Sequence, residues 1–86
     1  MSNPDTPEAI ARLRMVNAEA VLENRVDLRG YPYRNLVIRA QRGFSPERVT
    51  AAVAAAEVLD RFGWELLNVA EFGSTRQVLA FLRRRR

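Results

Sequence analysis

Eighty-six residues, 48% hydrophobic and 28% charged, suit one small globular domain whose core must come from packing or oligomerisation, because no cysteine is present to staple it. The chain also has no histidine, so imidazole triads, thiol nucleophiles and zinc sites of the usual ligand types are excluded. The formal net charge of +4 matches the four arginines Arg83, Arg84, Arg85 and Arg86; the rest of the chain is neutral and lacks the basic excess of a dedicated nucleic-acid domain.

Residues 1–5 lack the basic region and apolar run of a signal peptide and are expected to fray. Thr6-Pro7-Glu8 then reads as a helix start, with a hydroxyl cap, a proline in the first turn and an acid at the positive end of the dipole. The spacing of Ile10, Leu13, Val16, Ala20 and Val21 predicts a single N-terminal helix over 6–24. Arg25 to Arg29 is read as a connector, and Gly30-Tyr31-Pro32 as a turn.

Tyr33 to Arg42 alternates in the strand sense, with Leu36, Ile38 and Ala40 on one face and Val37 on the other. Ser45-Pro46-Glu47 opens a second helix, expected to run to Phe62 and to end at a left-handed Gly63. Its buried stripe is Val49, Ala52, Val53, Ala56, Leu59 and Phe62. Trp64 to Phe72 alternates again: Trp64, Leu66, Asn68, Ala70 and Phe72 oppose Glu65, Leu67, Val69 and Glu71. Trp64 is expected to anchor the turn at Gly63. Asn68 either caps a neighbouring backbone group or marks a polar contact in an interface. Gly73-Ser74-Thr75-Arg76 is a four-residue hairpin loop. Val78 to Leu82 is apolar on both faces, as a central strand is.

The expected fold is therefore α+β, one domain over 1–86: an N-terminal helix, a β-α-β-β core over 31–83 and a basic tail over 84–86. The three strands form a mainly antiparallel sheet in the order 1-3-2, since the order 1-2-3 leaves the most apolar strand at an aggregation-prone edge. The helix at about 45–62 covers one face only. The other offers Leu67, Val69, either Leu79 and Phe81 or Val78 and Leu82, and Val37. Leaving four or five such side chains in water forfeits several kcal/mol, at about 1.5–3 kcal/mol for each large apolar side chain fully buried. That is comparable with the whole stability of a small domain.

The strings YPYRNLVIRA, GWELLNVAEF and VLAFLRR resemble a bacterial domain family of unknown function, family number 4177. The matching positions are Tyr31, Tyr33, Val37, Gly63-Trp64-Glu65-Leu66, Phe81 and Arg83-Arg84, within residues 31–84. The resemblance implies a β-α-β-β order and transfers no activity and no catalytic residue.

The expected function is a non-enzymatic interaction or assembly module in the cytoplasm, a homo-oligomer or a small subunit of a larger complex. It uses the second sheet face and the N-terminal helix, through Val37, Leu67, Val69, Leu79, Phe81, Leu13 and Val16. No cofactor, metal or small-molecule ligand is inferred, and no membrane. The alternative is a nucleic-acid accessory protein gripping phosphate through Arg83, Arg84, Arg85 and Arg86. A small-ligand protein would need a pocket between helix and sheet.

Overall fold

The computed structural model describes residues 6–85, so the start over 1–5 and Arg86 lie outside it. The fold is α+β, with helices on one side of a four-stranded mixed sheet. The elements are α1 (Pro7–Leu13), β1 (Met15–Asn17), α2 (Ala18–Leu22), β2 (Asn35–Ala40), α3 (Ser45–Asp60), β3 (Trp64–Phe72) and β4 (Gln77–Arg84). The sheet order is β1-β2-β4-β3. β1 runs parallel to β2, whereas the β2–β4 and β4–β3 pairs are antiparallel.

The N-terminal third corrects the sequence reading. Thr6 caps α1, its hydroxyl accepting from the Ala9 N–H at 3.2 Å. The helix then stops at Arg14, which turns left-handed with φ 57°. Met15-Val16-Asn17 lies down as a strand along the edge of β2, and only then does the five-residue α2 begin. The reason is an edge. Without β1, one side of β2 would present a row of unpaired N–H and C=O groups. Pairing it also puts the β-branched Val16 beside Ile38, where both are fully buried. The three expected strands keep the order 1-3-2, as β2-β4-β3 with β4 between its neighbours, and the sheet is extended by β1 as a fourth, parallel strand at the β2 edge.

α3 starts where the Ser45-Pro46-Glu47 pattern suggests, but its cap differs. Ser45 is the first helical residue and its hydroxyl donates to the Glu71 carboxylate. The Glu47 side chain instead reaches back to accept from the Phe44 N–H at 2.7 Å. Gly43, at φ +82°, makes this possible: a Cβ there would lie 2.8 Å from Oε1 of Glu47. The helix buries Ala52, Ala55, Ala56 and Leu59. Its small side chains let α2 and the sheet approach closely. Phe62 does not join this stripe and is 71% exposed, beyond the end of the helix in the turn to β3.

The core lies between helices and sheet, with Leu36, Ile38 and Ala40 from β2 opposite Leu82, Ala80 and Val78 from β4. Ile10, Val16, Val21, Leu59 and Trp64 complete it. The molecule measures 32 × 32 × 21 Å between Cα extremes. Its short dimension accommodates one sheet layer and one helix layer, since each further layer adds about 10 Å.

Candidate functional site: the open sheet face and an arginine–aromatic cleft

Strand alternation sends Val37, Phe81 and Leu79 away from the helices. Val37 pairs with Phe81, and Met15 lies beside Val37 on the same face. Phe81 pairs in turn with Asn68, and Leu79 with Ala70. Met15, Val37, Ala70, Leu79 and Phe81 are each only half-buried, and none belongs to the core. No described helix packs across them: α2 and α3 meet the core face, and α1 touches β1 alone among the elements.

Polar groups flank this patch and, at Arg39 beside Leu79 and Asn68 beside Phe81, enter its face; those at three positions are bonded within the chain. Arg39 donates to Asn17 at 3.1 Å, Gln77 to Gln41 at 3.0 Å, and Arg83 to Glu65 at 2.8 Å. An apolar centre inside a polar border is how a protein interface is built.

The expected interface residues divide. Val37, Leu79 and Phe81 lie together on the open face. Val69 does not: it pairs with Ala80 and packs against the core. A β-bulge at Leu66–Asn68 shifts the alternation of β3, so Leu66 and Val69 share the helix side while Asn68, Ala70 and Phe72 take the other. Leu67 is the extra residue of the bulge, 48% exposed on the edge strand. Asn68 accepts from the Val69 N–H at 2.8 Å, a local cap at this irregularity. Val16 is in the core at 1% exposure, whereas Leu13, 51% exposed at the end of α1, remains accessible but separate from the patch. Sequence reasoning missed Met15 and Ala70. Helical spacing puts Met15 in a helix, and no residue type announces the bulge that redirects Ala70.

The C-terminal arginines are the second correction. Arg83 lies within β4 and pairs with Glu65. Arg84 is the last strand residue; its Nη2 donates to the Tyr31 carbonyl at 2.8 Å and its guanidinium lies over Trp64. The Arg85 side chain pairs with the Asp60 carboxylate and donates to the Asp60 carbonyl at 3.0 Å, while its own N–H donates to Gly63 O at 2.9 Å. Arg84 therefore clasps the end of β4 to Tyr31 and the start of β3, and Arg85 clasps it to the end of α3 and its turn, in place of the expected solvated tail. Arg86 lies outside the described residues.

Tyr31 and Trp64 form the centre of this clasp. Their rings meet edge-on at 5.7 Å, and Tyr33 meets Tyr31 edge-on at 5.6 Å with the Arg14 guanidinium 3.9 Å from its ring centroid. The Tyr31 hydroxyl donates to Asn35 O at 2.6 Å. Burial pushes the Tyr31 phenol above its ordinary pKa, against a smaller opposing pull from the Arg14 charge. Beside the clasp, Trp64 and Arg84 line a cleft of about 550 Å³ that also receives Asp27 and Arg29 from the connector. The side-chain hydrogen bond from Arg29, then its backbone N–H, hold Asp27 down to about 2.

Among the described residues, no group of three or more acidic side chains is arranged to hold a metal ion, and no helix is long and apolar enough to cross a membrane. No protein-family model, curated protein or solved structure matches the chain.

Proposed function

We propose that this protein is a non-enzymatic assembly module that self-associates through the open face of its sheet. The observation that carries the reading is the Met15–Val37–Phe81 row with Leu79 and Ala70 beside it, apolar, half-buried and, among the described residues, without a covering element.

The occupant that fits is a second copy of the chain. Arg83 and Glu65 cancel on the border, and Arg39, beside Leu79 and bonded to Asn17, adds a single charge to the face. Such a face has no strong field of one sign to repel a copy of itself or to select a charged partner. Four strands about 4.8 Å apart, and about six residues long at about 3.3 Å each, give a face of roughly 20 × 20 Å. That is about 400 Å² in projection, about half of the roughly 800 Å² per partner of a standard interface, so a small interface is expected. Two such faces stack at about 10 Å as in a sandwich, and the symmetry is that of a two-fold dimer. Pairing through the β3 edge is the poorer route, because the bulge breaks its ladder and Glu65 and Glu71 line that strand.

The nucleic-acid reading has less support, since Arg83 and Arg85 each pair with a carboxylate within the fold and Arg84 is half-buried beside Trp64. The resemblance to the family of unknown function adds no activity to either reading.

Sedimentation equilibrium on the full chain over a wide concentration range tests the proposal. A mass of twice 9.8 kDa supports it. A 9.8 kDa monomer up to millimolar concentration overturns it.

A further inference from the structure

The cleft beside the clasp lies on the helix side of the sheet, away from the open face. Leu28 from the connector, Val58 and Phe62 from the end of α3 and its turn, and Trp64 at the start of β3 form its apolar walls. At about 550 Å³ it is of the size that takes a small molecule.

Its charge is unbalanced in a specific way. Asp27 is the acid of the lining and is bound through both carboxylate oxygens to Arg29, each at 3.0 Å. Arg84 is half-buried and, among the described residues, has no carboxylate partner. Arg83 and Arg85, on either side of it in sequence, both have one. The cleft thus carries one uncompensated positive charge.

That charge is also held in place. One Nη2 donor goes to Tyr31 O, and the guanidinium carbon lies 4.9 Å from the Trp64 ring centroid and 5.9 Å from that of Tyr31. A guanidinium has five N–H donors in a planar fork suited to carboxylate, so most of them are left for a ligand. The cleft shields an ion pair from water better than the open surface does.

We propose that this cleft binds a small monoanion with a flat apolar body, an arylalkyl carboxylate. Its carboxylate accepts from Arg84, and its ring packs among Trp64, Phe62, Leu28 and Val58. Trp64 is the sole tryptophan, so its fluorescence reports occupancy directly.

The test titrates the full-length protein with 3-phenylpropionate and, separately, with the neutral isostere 3-phenylpropanamide, following Trp64 emission and heat of binding. Saturable binding of the acid with at least about tenfold weaker binding of the amide is expected, because the amide forfeits the charge-assisted pair. Arg84→Gln should erase that preference while circular dichroism stays native. If Arg84→Gln does not fold, Val58→Phe, which fills the cleft without touching the clasp, should abolish binding of the acid. No saturation at millimolar acid overturns the proposal, as do equal affinities for acid and amide or unchanged binding by Val58→Phe. None of these results depends on whether the protein dimerises.

Discussion

Arg84 stands over Trp64, its guanidinium carbon 4.9 Å from the ring centroid, across the register pair that joins the last residue of β4 to the first of β3. The same guanidinium binds Tyr31 O, so a single side chain ties together the entry to β2, the start of β3 and the end of β4. Arg84→Ala loses a hydrogen bond from a charged donor, worth about 1.5–3 kcal/mol, and a cation–π contact worth about 0.5–2 kcal/mol. The expected cost is about 2–5 kcal/mol in urea unfolding, or a fall in Tm of roughly 8–40 °C at about 4–8 °C per kcal/mol for this chain length. Arg29→Ala removes an exposed pair and should leave the urea midpoint unchanged. Equal behaviour of the two variants would show that Arg84 is no clasp.

The break at Arg14 gives Leu13 and Val16 opposite fates, although helical spacing puts them on one stripe. Val16→Ala removes methyl groups from a fully buried site beside Ile38 and should cost about 1–3 kcal/mol. Leu13→Ala acts at an exposed site and should stay within about 0.5 kcal/mol. Denaturant unfolding of both variants measures the difference; comparable losses would restore the continuous helix.

These two corrections show what the amino-acid pattern carried. β2, α3, β3 and β4 were legible because local alternation, glycine-rich turns and the alanine stripe all agreed about them. The five-residue apolar run 78–82 placed its strand at the sheet centre, and β4 is there. The N-terminal break was not legible, because Met15-Val16-Asn17 becomes a strand only through the edge of β2, some twenty residues further on. Tertiary pairing overrode a good local helix pattern. The bulge at Leu66–Asn68 was equally hidden, and with it the face that Val69 and Ala70 occupy. Arg84 and Arg85 read as a tail because charge counting records their number, not the carbonyls of Tyr31 and Asp60 that receive them.

Tyr31 links stability to alkaline pH. Burial raises its folded pKa above the unfolded value of about 10, so its contribution is complete below that value. It is then lost as pH climbs through the raised folded value. Unfolding free energies measured between pH 8 and 11.5 should show this decline, and Tyr31→Phe should remove that part of it. At pH 8 the same variant should cost about 0.5–1.5 kcal/mol for the lost hydrogen bond to Asn35 O. An identical alkaline profile in Tyr31→Phe would assign the decline to other groups.

The open face is tested most directly by Phe81→Glu, because Phe81 is half-exposed in the single chain and lies on the interior strand β4 between Val37 and Asn68. A carboxylate there meets an apolar partner surface on association but stays hydrated in the monomer. Light scattering with circular dichroism on the wild type, Phe81→Glu and the control Leu13→Glu is the decisive measurement. Dimers are expected for the wild type and Leu13→Glu, and a natively folded monomer for Phe81→Glu. A dimer that survives Phe81→Glu unchanged, or a wild type that is monomeric throughout, would contradict it.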